Sequence, residues 1–110
     1  MRAMKPRVYA MLVALAGGPS HGYGLKKEVA EASDGAIRLG PATLYRTLAS
    51  LEADGLIEET EERPVPEDED DERRRYYRLT EAGREAMVTE TARLEGLVRR
   101  ARRSSAGGGA

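Results

Sequence analysis

Cysteine, tryptophan and phenylalanine are absent from these 110 residues, and histidine occurs once. Without thiols the chain has neither a disulfide framework nor a thiolate metal site, and the lone His21 cannot complete a zinc site unaided. No metal and no cofactor are expected, and the lack of disulfides suits a reducing, cytoplasmic setting. Five tyrosines are the only aromatics among 40% apolar residues, so the core has to be largely aliphatic. The length suffices for one small domain. A long apolar run is missing too. The nine residues "VYAMLVALA" are too few to span a bilayer, although behind "MRAMKPR" they imitate a secretion signal. Val8, Met11, Leu12 and Leu15 recur at i, i+3, i+4 and i+7, which is one face of a helix, so the segment reads as a core helix.

Net charge is almost missing as well, at −1, but the balance is local. Up to Thr60, seven basic residues meet seven acidic ones; Glu61 to Glu72 carries eight acids against one arginine; Arg73 onward carries ten basic residues against four acids. The sharpest contrast is "PEDEDDERRR", where six acids (Glu67 to Glu72) abut Arg73, Arg74 and Arg75. Such asymmetry says more about partners than the sum does.

The apolar pattern and the punctuation predict four helices and a hairpin. A first helix over about Lys5–Ala16 stops at "GGP", and Ser20 is placed to cap a second over about Gly22–Ser33, with Gly35 at its C′ position. In "LGPATLYRTLASLEADGL" Pro41 suits the first helical position and Gly55 the C′ position. Leu39 and Leu44 fall at the staple positions around the start of that third helix, and Leu51 and Leu56 at the pair that accompanies a Schellman end. "LIEETEE" and "RRYYRLT" read as two strands joined by a long loop over about Arg63–Arg73. Thr80 is an N-cap for a final helix over about Glu81–Arg103.

Three helices followed by a hairpin is the order of a winged helix-turn-helix. "HGYGL" (His21–Leu25), "PATLYRTLASLEADGLI" (Pro41–Ile57) and "RRRYYRLTEAG" (Arg73–Gly83) together resemble the signature blocks of the PadR family of bacterial transcriptional regulators. The resemblance covers roughly residues 8 to 100. It departs from the family pattern at Pro41, where a small residue such as Gly or Ser is expected, and in the acid run, which lengthens the wing. The expected fold class is mainly α with a small β-hairpin. It comprises a winged helix-turn-helix DNA-binding domain over 1–80, a C-terminal dimerisation helix over 81–103 and a disordered tail over 104–110.

In that register the third helix is the recognition helix. Its outer face carries Ala42, Thr43, Arg46, Ala49, Ser50 and Ala53, with Tyr45 at the flank. Apart from Arg46 these are small, so the helix can lie deep in a major groove, where Arg46 reaches a guanine edge or a phosphate and Thr43 a base edge or a thymine methyl. The simpler reading of the alanines is helix propensity alone. Arg73, Arg74 and Arg75 on the returning strand suit phosphate oxygens, with Tyr76 expected to face outward beside Arg74 and Arg78 while Tyr77 and Leu79 face the core. Tyr23 is a further candidate for a phosphate contact, with packing as its alternative, and His21 is expected to pack and bond locally. The six acids are expected to compete with DNA for the wing arginines and so lower affinity for random sequence; self-neutralising surface is the alternative.

On the final helix Met87, Thr91, Leu94, Val98 and Ala101 recur at spacings of four and three, with Leu97 beside them. The expected dimer interface sets Met87, Leu94, Leu97, Val98 and Ala101 against Val8, Met11 and Leu12 of a second subunit; the alternative is packing onto the same subunit's own domain. The resemblance implies a homodimeric regulator of transcription, a repressor on a pseudopalindromic operator in double-stranded DNA, relieved in some relatives by a small aromatic or drug-like effector. An apolar pocket near Met4, Val8 and Met11 could receive one. No catalytic group is apparent, since "HGYG" lacks the spacing of a phosphate-binding glycine loop and the acids cluster in one loop. The rival to DNA binding is a winged-helix module that docks a basic protein through its acidic loop.

Overall fold

The computed structural model describes residues 4–62 and 75–108. Along them run α1 (Pro6–Ala16), β1 (Ser20–His21), α2 (Gly22–Ala32), α3 (Pro41–Ala53), β2 (Ile57–Thr60), β3 (Tyr76–Leu79) and α4 (Glu81–Gly108). The first three helices match their expected bounds within a residue. Met11, Leu12 and Leu15 of α1, Leu25 and Val29 of α2, and Leu44, Leu48 and Leu51 of α3 converge with Leu39, Ile57 and Tyr77 into one core. Burying each such leucine is worth roughly 1.5–3 kcal/mol relative to leaving it exposed.

Both ends of α3 are made as the sequence suggests. Pro41 opens it, and at its close Gly55 takes a φ of 76°. The Leu56 N–H then donates to Leu51 O at 3.0 Å and that of Gly55 to Glu52 O at 3.0 Å, the two bonds of a Schellman turn. The same motif closes α2, one residue out of the expected register. Asp34 (φ 52°) holds C′, and the Gly35 N–H reaches Ala30 O at 2.7 Å.

The hairpin is one strand short of the sheet. Its order is β1-β3-β2, antiparallel throughout, with Ser20 and His21 paired to Tyr77 and Tyr76, and Ile57 to Thr60 paired to Leu79 to Tyr76. A two-residue strand is too short for alternation to reveal. Forming it moves the cap of α2 from Ser20 to His21, whose Nδ1 accepts from the Gly24 N–H at 3.0 Å.

Thr80 welds α4 to the end of α3. Its N–H donates to Leu56 O at 3.1 Å and its hydroxyl to Gly55 O at 2.6 Å, while Oγ1 caps α4 by accepting from the Gly83 N–H at 3.0 Å. So close is this approach that a Cβ on Gly83 would lie 2.0 Å from Leu56 O.

α4 departs from expectation in two ways. It continues to Gly108 where a disordered tail was expected from residue 104. Ser104 and Ala106 break no helix, and each residue added to an existing helix gains a backbone bond. Its first half also packs on its own domain: Met87 lies against the core, and Thr91 meets α1. Thr91 gives its only hydroxyl hydrogen to Met87 O at 2.8 Å, so it is Tyr9 that donates to Thr91 Oγ1 at 2.7 Å. The molecule measures 58 × 27 × 24 Å, long in one direction because α4 runs past the domain. Met11 and Leu12 are 0% exposed inside the core, so the expected dimer interface loses both, and the effector pocket loses Met11. Helical spacing reports a buried face, but not which neighbour buries it.

Candidate nucleic-acid interface

The core-facing leucines of α3 leave its opposite side to solvent. Ala42, Tyr45, Arg46, Ala49, Ser50 and Ala53 are exposed there, and Thr43 is half-buried at the edge. Thr47, inside, satisfies its hydroxyl locally by donating to Thr43 O at 2.7 Å. The face is therefore smooth along its middle, with Tyr45 on the flank towards α2 and Arg46 and Ser50 on the flank towards α1. Tyr45, 61% exposed, rests its ring beside Gly22. A Cβ at Gly22 would stand 3.4 Å from both Leu44 Cδ2 and Tyr45 Cε1, so the glycine of "HGYG" lets the start of α2 press against α3. Tyr23, the next residue, points into solvent.

The wing side differs from the sequence reading at Tyr76. This residue is 4% exposed, where an outward DNA contact was expected. The His21 ring meets it edge-on, with centroids 5.1 Å apart and planes at 85°, because β1 covers the strand face that a two-stranded hairpin would have left open. His21 thus packs and bonds locally, as expected. Tyr77 and Leu79 turn to the core and Arg78 to solvent, as alternation requires; Arg78 Nε donates across the ladder to Glu58 Oε2 at 2.8 Å. Arg75 is exposed and pairs with Glu59 at 3.8 Å. Burial raises the Tyr77 hydroxyl above its ordinary pKa, and a hydrogen bond from Arg75 works against that. Arg73, Arg74 and the six acids lie outside the described residues, as does the expected competition between them.

Two basic grooves that the sequence reading missed border this face. One, about 430 Å³, is lined by Tyr23, Lys26, Lys27 and Ala30 of α2 and by Arg38, Leu39 and Gly40 of the following turn. The other, about 560 Å³, runs between the start of α1 and α3, with Lys5, Arg7, Arg46, Thr43, Ser50 and Asp54 on its walls. Positions 23, 26, 27 and 30 form one helical stripe, and that spacing was the available signal for the first. The second gathers residues from segments far apart in sequence, and no local pattern announces it.

Among the described residues no cluster of His, Asp or Glu is placed to hold a metal ion, and no helix is long and apolar enough to cross a membrane.

With this geometry in hand, comparison with known proteins is informative. The model of the transcriptional regulator PadR-like family matches residues 11–89. A transcriptional regulator of Mycobacterium tuberculosis is 44% identical over 79 residues, covering 72% of this chain and 66% of that protein. An uncharacterised protein encoded in transposon TN4556 of Streptomyces fradiae is 42% identical over 91 residues, covering 80% of this chain and 24% of that protein. The chain thus spans about a quarter of one curated relative and just under two thirds of the other. Among solved structures, the winged-helix DNA-binding protein F93 from STIV superposes with a TM-score of 0.68 at 23% identity, covering 88% of this chain and 96% of that one, a likeness of fold.

Proposed function

The chain belongs to the PadR-like family of transcriptional regulators, with a winged-helix fold, and we propose that it acts as a homodimeric repressor whose two α3 helices read a pseudopalindromic operator. The observation that carries this reading is the solvent face of α3, small-sided along its centre and armed with Arg46 at its edge. A helix without bulk on its outer side can approach base edges closely, and an Arg fork there finds two acceptors on guanine. Thr43, Tyr45 and Ser50 join Arg46 in reading bases, Tyr23 meets a phosphate, and Arg73, Arg74 and Arg75 grip phosphates from the wing.

Dimerisation is supported by the distal half of α4. Leu97 is 52% exposed, Val98 47%, and Ala101 is open too. Beside α4 lies an apolar cleft of about 400 Å³, lined by Tyr9, Ala10 and Val13 of α1, Val29 of α2, and Leu94. A second subunit's helix laid along these surfaces would cover them. Val8 and Met87 are already packed against the subunit's own core, so the proposed interface centres on Val13, Leu94, Leu97, Val98 and Ala101. The same cleft offers an apolar site for a small aromatic effector.

Footprinting on duplex DNA from upstream of the chain's own gene tests the reading. Two protected half-sites one helical turn apart, about 34 Å between centres, are expected. A single half-site, or uniform weak protection, contradicts it.

A further inference from the structure

We infer that the two basic grooves flanking α3 are phosphate sites, one for each strand bordering the major groove, so that the recognition helix is clamped from both sides independently of the wing. This rests on the reading of α3 as the helix that enters DNA.

Three of the residues lining the α2 groove are cations, Lys26, Lys27 and Arg38, and none is acidic. Arg38 is held in place, its Nε donating to Gly35 O at 3.2 Å, which leaves the outer edge of the guanidinium to meet a ligand. Gly40, at the rim of this groove, is the N-cap of α3 and supplies no capping side chain, and Pro41 has no N–H to give. The first turn of α3 therefore presents its positive end uncapped, beside three cations and the exposed Tyr23. A helix start attracts an anion weakly by itself; with three cations around it, a phosphodiester oxygen is the chemistry that fits.

The α1 groove lies on the other flank. Lys5 and Arg7 face Thr43, Arg46 and Ser50 across it, with Asp54 its only acid among the described residues. Arg7 Nε is buried there without a hydrogen-bond partner among the described residues. A buried guanidinium N–H without an acceptor is costly, and an oxygen entering this groove would remove that cost. On α3 the two flanks are separated by the small residues Ala42, Ala49 and Ala53. Phosphates on opposite sides of a major groove, about 12 Å wide, would bracket those residues just so.

The test uses the full chain and the duplex from upstream of its own gene, with affinity measured over a chloride series. Each phosphate released lowers the slope of log affinity against log salt by about 0.9. Replacing Lys26, Lys27 and Arg38 by Gln should flatten the slope by about two to three. Replacing Lys5 and Arg7 by Gln should flatten it by about one to two. Both sets should weaken operator and scrambled duplexes alike and leave their ratio unchanged. Lys5→Gln alone, with thermal melting, separates lost contact from lost folding at Arg7. Methylphosphonate substitution on one strand at a time should interfere with one groove's contribution and spare the other's.

An unchanged slope in either set overturns the clamp, as does a fall in the operator-to-scrambled ratio, which would make these residues base readers. Inorganic phosphate that displaces DNA more than chloride does at equal ionic strength would assign the grooves to a free anion instead. Failure of the unaltered protein to bind any duplex would remove the reading of α3 itself, a result distinct from these.

Discussion

Single residues set how closely the elements approach. Gly83 is the sharpest case, because a methyl there would collide with Leu56 O, a backbone atom already committed to Thr80. Relief requires moving α4 away from the end of α3, so Gly83→Ala should cost about 2–3 kcal/mol, the upper range for overpacking. For a domain of this size that lowers the melting temperature by roughly 8–20 °C. Gly96, with open space around its Cβ position, provides the control: Gly96→Ala should hold or raise the melting temperature, since alanine is the better helix former by up to about 1 kcal/mol. His21 performs two tasks, capping α2 and covering Tyr76. His21→Ala should cost about 1–2 kcal/mol in chemical denaturation, and His21→Asn should recover the capping share. Equal losses in both variants would mean that the cap contributes nothing.

At the scale of the element, α3 was legible in the sequence because both of its ends are written in residue types whose geometry admits few alternatives: Pro41 with Leu39 and Leu44, and Gly55 with Leu51 and Leu56. Strand β1 was not legible, since two residues carry no period, and Tyr76 was misread with it, because the burial of a strand face depends on a neighbour that alternation does not reveal. The face of α1 was identified correctly, but Met11 and Leu12 proved to be core, as a helical stripe is the same whether its own domain or a second subunit covers it. The α4 anchor was also out of reach. Glu90, 7% exposed, accepts from Arg93 Nε at 3.0 Å and Nη2 at 2.5 Å. Chiefly through Arg93, and also through the backbone of Met4, its carboxyl is held below the ordinary carboxylate range. A lowered folded-state pKa adds stability that is complete above the unfolded-state value and is lost as pH falls through the folded one. Stability should therefore decline on acidification through and below pH 4.5, the ordinary value. Glu90→Gln should lower the melting temperature at pH 7 and flatten that acid limb. Parallel curves for the two proteins would show that Glu90 is not the group responsible.

For the whole molecule, function depends on holding two recognition helices at a fixed separation, and α4 is the part long enough to set it. Its 28 residues span about 42 Å at 1.5 Å each. Leu97→Glu with Val98→Glu places charge on an exposed stretch, so the subunit should melt as before but sediment as a monomer where the unaltered protein is a dimer. A dimer that survives both changes would move the interface elsewhere. Everything that assembly positions serves the outer face of α3, and Arg46 is its one long side chain able to distinguish a guanine. The most direct measurement is a titration of the unaltered protein and of Arg46→Ala with the upstream duplex and with a scrambled duplex of the same composition. The unaltered protein should prefer the upstream duplex, and Arg46→Ala should lose about 1–3 kcal/mol of that preference per subunit while keeping most of its affinity for the scrambled one. An identical preference in both proteins, or none in either, would contradict the assignment of α3 as the reading head.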